Sequence, residues 1–133
     1  FLNLAFTAEE QKAILTTAVR NEDNPEHRTD GGRETSDKVF LLGIGEAETL
    51  FWEDDDRIGK NTAYAEAQGA FTSDSGAGWW WLRSPGRHQD FAADVNAGGS
   101  VLRFGSYVGY DNLAVRPALW LDLASGISSS VAP

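Results

Sequence analysis

Two apolar blocks near the C-terminus constrain this chain more than any other feature: Trp79 to Gly86 (WWWLRSPG) and Ala114 to Leu123 (AVRPALWLDL). Successive side chains of a strand point to opposite faces, so Trp79 and Trp81 share one face of the first block and Trp80 takes the other. Both faces then need cover. In the second block Val115, Pro117, Leu119, Leu121 and Leu123 alternate, with Trp120 opposite, which is the pattern of a core strand. The segment between the blocks, Arg87 to Leu113, mixes Gly with His, Asp, Asn, Arg, Tyr and Phe and lacks the Lys/Glu pattern of an ordinary solvated surface. The blocks read as a frame and the segment as a recognition surface.

Upstream of the frame the pattern changes to helices and loops. Thr7-Ala8-Glu9-Glu10 is a capping box, and Ile14, Leu15, Ala18 and Val19 recur at helical spacing, so a helix is predicted from Thr7 to about Val19. Phe1, Leu2, Leu4 and Phe6 read as a short edge strand or core-seeking leads. Asn21 to Ser36 is a polar, exposed loop. His27 with Asp23, Glu26 and Asp30 is a conceivable metal set there, but a lone His in a polar loop reads as solvated. Lys38 to Leu42 is predicted as a strand, released by Gly43-Ile44-Gly45 into a helix from about Glu46 to Trp52 that buries Leu50, Phe51 and Trp52.

Glu53 to Asp56 is the densest run of carboxylates, the groups that bind calcium. Four consecutive acids point in several directions, however, and an EF-hand needs ligands at alternate positions with a central Gly. A helix terminus with Asp capping the next turn fits better. Asn61 to Gln68 reads as another helix, started by Asn61 or Thr62, before a Gly/Ser-rich turn from Gly69 to Gly78. Beyond the first block, Ala92 to Asn96 and Ser100 to Phe104 flank Ala97-Gly98-Gly99, a hairpin signal, and Gly105 to Leu113 is a tyrosine-bearing loop. The reading is a single domain over residues 1–124 with a small polar tail at 125–133.

At 133 residues the chain holds one domain with a real core. It has no Cys, so disulfides, thiolate metal sites and a Cys nucleophile are excluded. No apolar run approaches the roughly 18 residues of a membrane span, so no direct membrane insertion is expected. Starting at Phe1 and lacking Met, it reads as a trimmed piece whose leader or neighbouring domain would not be visible. The net charge of -9 argues against nucleic-acid binding. Residues 1–78 carry 7 basic and 16 acidic side chains and residues 79–133 carry 4 of each, so the recognition segment lies in the neutral part.

No zinc-binding His/Glu motif, nucleophile elbow or phosphate-cradling Gly loop is present. His88 and Asp90 lack the third group that would orient an acid/base pair. Arg83 and Arg116 read as structural guanidiniums paired with a carboxylate or carbonyl, Asp122 among the candidates. No catalytic residue, metal or cofactor is expected. The segment instead offers Phe91, Phe104, Tyr107 and Tyr110 as rigid contact area. Arg87, His88, Asp90 and Asp94 add hydrogen-bonding groups early in it, and Asn96, Arg103, Ser106, Asp111 and Asn112 later. That vocabulary is shared with antibody paratopes and interface hot spots. An ordinary Gly-rich loop is the plain alternative.

WWLRSPG (Trp80 to Gly86) with VRPALWL (Val115 to Leu121), preceded by DKVFLLG (Asp37 to Gly43) and TAYA (Thr62 to Ala65), resembles a family of bacterial and phage domains similar to C-type-lectin-fold proteins. Some of these serve as variable proteins of diversity-generating retroelements, in which a reverse transcriptase copies a template with errors at adenines and rewrites the segment between the two blocks. The resemblance implies an α+β, C-type-lectin-like fold with N-terminal helices packed on a small twisted antiparallel sheet. It also implies that residues 87–113 bind a protein or other macromolecular surface ligand, at a cell surface or on a phage particle.

Adenine replacement in Asn codons of the AAC type does not reach Lys, Glu, Gln, Met or Trp, and Gln89 alone represents those five in the segment. The filled positions come in runs, including Leu102-Arg103-Phe104 and Gly109 to Leu113, which adds Leu102 and Leu113 to the binding set. Steadier residues such as Ala92-Ala93, Val101, Gly105 and Val108 separate them. The tripeptides of calcium-dependent sugar-binding lectins are missing, and the formylglycine-generating enzymes of this fold need cysteines that the chain lacks. A carbohydrate-binding module, or the recognition domain of a larger surface enzyme, is the alternative.

Overall fold

A computed structural model describes residues 1–124; the expected tail at 125–133 lies outside the described residues. In chain order the elements are α1 (Leu2–Ala5), α2 (Ala8–Ala13), β1 (Thr17–Val19), β2 (Thr35–Asp37), α3 (Ile44–Leu50), α4 (Asp54–Arg57), β3 (Gly59–Lys60), α5 (Ala63–Ala67), β4 (Ala77–Gly78), β5 (Trp80–Pro85), β6 (Phe91–Val95) and β7 (Val101–Tyr107). Antiparallel pairs β1-β2 and β3-β4 stand beside a three-stranded sheet of order β5-β6-β7. The architecture is α+β.

Three expectations for the N-terminal half are corrected. Phe1 to Phe6 contains α1 rather than an edge strand, with Leu4 fully exposed. The Thr7 capping box forms, its hydroxyl accepting from the Glu10 amide and its own amide donating to the Glu10 carboxylate at 2.7 Å. The helix nevertheless stops at Ala13, and Thr17–Val19 is a strand. The stop has a partner: Leu15 N–H donates to Trp120 and Asp122 N–H to Ala13, drawing a β-branched stretch into extended pairing instead of another helical turn. The second helix also begins earlier than expected, at Ile44, and its buried stripe is Ile44 and Ala47 with Phe51 partly covered, whereas Leu50 and Trp52 are exposed.

The core consists of Leu42, Ile44, Ala47, Trp80, Leu82, Ala93 and Val95, with Phe40, Phe51, Val101 and Ala118 packed against it. Trp80 is the tryptophan on the inner face of β5, beside Leu82 and Ser84, its indole donating to the Arg57 carbonyl, while Trp79 and Trp81 are partly exposed on the other face. The second apolar block departs furthest from its alternating pattern. Val115 and Leu123 are exposed, and the inward positions are Ala114, Arg116 and Ala118. Pro117 has no N–H for a ladder. The block therefore bridges three partners at single points, Trp80 through Ala114, Phe40 through Ala118 and Ile14 through Leu121. Lys38 to Leu42 is likewise not the expected strand: the chain bends at Lys38 and Val39 and makes one bridge, at Phe40.

The hairpin β6-β7 turns at Asn96 to Gly99, as its glycines require; Gly99 sits at φ 84° and the Asn96 side chain accepts from Gly98 and Ser100. Register shifts interrupt both ladders around the middle of β6, between Trp81 and Pro85 on β5 and between residues paired with Ala92 and Asp94 on β7. On the β7 side the extra residues are Arg103 to Gly105, and Gly105 has φ 74°, where a Cβ would strike the Ala92 carbonyl oxygen. Carbonyls freed from the ladder find partners elsewhere. Asn24, 1% exposed in the loop expected to be solvated, donates to the Pro85 and Arg103 carbonyls at 2.8 and 2.7 Å.

Candidate functional site

The bulge aims aromatic side chains outward. Phe104 rises from it, Phe91 from the start of β6 and Tyr107 from the end of β7, which is in register with Phe91. Ring centroids lie 6.1 Å apart for Phe91 and Phe104, 6.2 Å for Phe91 and Tyr107, and 6.0 Å for Tyr107 and Tyr110, all edge to face. His88 adds an edge contact to Phe91, and the Arg87 guanidinium covers Phe104 at 3.9 Å and Phe91 at 4.8 Å. The result is a ridge of interlocked rings with Phe104, Tyr107 and Tyr110 about half exposed. Asp90 and Asp111 are exposed beside it. His27 joins the ridge through an edge contact with Phe104 at 6.2 Å. Its loop gave no sequence signal for this role beyond an aromatic residue close to Asn24.

Beside the ridge is a pocket of about 220 Å³ lined by Phe71, Trp79, Ser106, Tyr110, Asn112 and Leu113. Phe71 N–H donates to the Asn112 carbonyl, and its ring meets Trp79 edge to face at 6.4 Å. Four of the six lining residues thus come from the recognition segment, and two, Phe71 and Trp79, come from outside it. Phe71 lay hidden in what read as a Gly/Ser-rich turn.

Other members of the binding set lie elsewhere. Arg103 faces α3, paired with Glu48 at 2.5 Å on the rim of a pocket shared with Glu22, Asp23 and Glu26. Asn96 is spent on the hairpin turn, whose Ser100 hydroxyl donates to Asp54 at 2.8 Å. Leu102 is partly buried in register with Asp94. Asp94 itself is 0% exposed, in register between Trp81 and Leu102 on the face away from the core. Neither of its oxygens has a hydrogen-bond partner of ordinary geometry. Burial pushes its carboxyl up to about 6, with nearby Ser106 pulling slightly the other way.

The remaining chemistry-bearing residues serve the frame. Arg83 pairs with Glu46 and donates to the Arg20 and Leu41 carbonyls. Burial acts to raise the Glu46 carboxyl, but the Arg83 guanidinium and the Gly43 amide together hold it below its ordinary value. Arg116 donates to the Arg57 carbonyl and lies over Phe51 and Trp80. The Glu53 to Asp56 run forms the start of α4, as expected, with Asp54 paired to the buried Arg57. Among the described residues no group of three or more His, Asp or Glu is placed to hold a metal ion, and no helix is long and apolar enough to cross a membrane.

The model of a domain family of unknown function, DUF6273, matches residues 1–123. The chain belongs to DUF6273. No curated protein and no solved structure matches it. The DUF6273 match spans both apolar blocks and the segment between them, so frame, ridge and pocket all fall within one family domain.

Proposed function

We propose that this domain is a non-catalytic ligand-binding protein that recognises a protein or other macromolecular surface ligand through the face built from residues 87–113. The observation that carries the proposal is the ridge of Phe91, Phe104, Tyr107 and Tyr110, capped by Arg87, with Phe104, Tyr107 and Tyr110 left about half exposed. Interlocked rings lose little conformational freedom on binding, and aromatic and Arg anchors are the usual hot spots. Within this proposal the fold is of the C-type-lectin type, and the segment between the two blocks is rewritten by a diversity-generating retroelement, at a cell surface or on a phage particle.

Sequencing the same locus from several isolates tests the diversification. Substitutions should gather at Arg87-His88, Asp90-Phe91, Leu102 to Phe104, Ser106-Tyr107 and Gly109 to Leu113 and fall at adenines; uniform variation, or none in the segment, overturns it. Once a partner is in hand, Tyr107→Ala and Tyr110→Ala should each weaken binding about tenfold or more in a titration. The exposure of both tyrosines also favours a second reading, stacking on sugars. A glycan array whose signal disappears in both variants would select it.

A further inference from the structure

We propose that the pocket between Phe71, Trp79 and Tyr110 receives a primary alkylammonium group, the end of a lysine side chain on the partner, with Ser106 relaying the interaction to Asp94. This rests on the reading of residues 87–113 as the binding face and names the chemistry that face selects. At about 220 Å³ the pocket is smaller than the roughly 300–1,000 Å³ of drug-sized sites and suits a single side chain. Its walls are aromatic, and π faces attract cations most strongly where water is displaced. Leu113 gives the alkyl stem an apolar contact, and Asn112 and Ser106 supply polar groups.

Asp94 decides the sign of the charge and the type of amine. A buried carboxyl whose two oxygens make no hydrogen bond in the structure is costly. Ser106 lies in the pocket wall and is also the side chain whose hydroxyl acts on Asp94. A serine hydroxyl donates and accepts at once. With an ammonium in the pocket it would accept an N–H from that group and turn its own proton toward the carboxylate, whose oxygens have no hydrogen bond in the structure. A quaternary ammonium brings no N–H and leaves this chain incomplete. The groups facing Asp94 from the neighbouring strands are Trp81 of β5 and Leu102 and Ser106 of β7, none of them charged. His27, His88 and Asp111 belong to the ridge and its loop.

The test uses n-butylammonium as probe, with 1-butanol and tetramethylammonium as controls at matched ionic strength, followed by the NMR shift of the Trp79 indole and the Ser106 amide. Butylammonium should bind at least about fivefold tighter than either control. Asp94→Asn should remove that preference, and so should Phe71→Leu, which serves if the first variant does not fold by circular dichroism. The affinity should fall between pH 7.5 and 5 in the native chain and stay level in Asp94→Asn, so comparing the two isolates the contribution of Asp94. Equal binding of 1-butanol, equal or tighter binding of tetramethylammonium, or an unchanged Asp94→Asn overturns the proposal. If Tyr107→Ala abolishes partner binding while butylammonium does not bind, the pocket proposal falls and the broader reading stands. If butylammonium binds but partner binding ignores Tyr107→Ala and Tyr110→Ala, the broader reading falls instead.

Discussion

Asp94 links the stability of the fold to pH through one side chain. Its carboxyl ionises at about 6 in the folded chain against an ordinary 3.8, because burial disfavours the charged form. The folded state therefore holds this proton more tightly than the unfolded chain. The resulting stability is fully present below pH 4 and is lost as pH rises through 6. Urea unfolding of native chain and Asp94→Asn at pH 5 and 7.5 should show the native chain losing about 1 kcal/mol more than the variant. Asn24 acts in the opposite sense, as a fully used polar group. It donates to two carbonyls and accepts from the amides of Glu26 and His27 at 2.9 Å, all in a buried site. Asn24→Ala should cost about 2–4 kcal/mol in the same measurement. Gly105→Ala should cost about 2 kcal/mol or more, since φ 74° and the Ala92 carbonyl both exclude a side chain there.

At the scale of elements, local signals were legible where neighbours agree with them. The Thr7 cap is written in four consecutive residues, and Thr7→Ala should lower the thermal midpoint through a loss of about 1 kcal/mol. The Thr62 cap and the hairpin around Gly98 and Gly99 were equally readable. What escaped were features fixed by distant chain. Ile14 to Val19 has helical spacing, yet Leu121 and β2 claim it as extended backbone. Val115 to Leu123 has strand alternation, yet Pro117 and three separate bridges turn its inward side to Ala114, Arg116 and Ala118. For the candidate site, the ridge residues were readable as a composition. Their mutual contacts depend on two register shifts that no local pattern announces. Asp94 and Arg103 looked like surface groups because a strand's facing cannot be read through a bulge.

The whole molecule is joined by its second apolar block, which touches β5, the Phe40 stretch and the end of α2 in turn. Amides on either side of these joints, at Trp81, Ala114, Phe40 and Ala118, are bonded across them. Hydrogen exchange should show these amides opening together in one global event; independent opening of the Phe40 joint would contradict this account. The same logic applies to the bulge. Its shape is gripped from outside by Asn24 and by the space that Gly105 leaves empty, so the side chains it displays contribute little to holding it. Form and vocabulary are therefore carried by different residues. A library varied at Phe104, Tyr107 and Tyr110 while keeping Asn24 and Gly105 is a set of different sentences in one grammar.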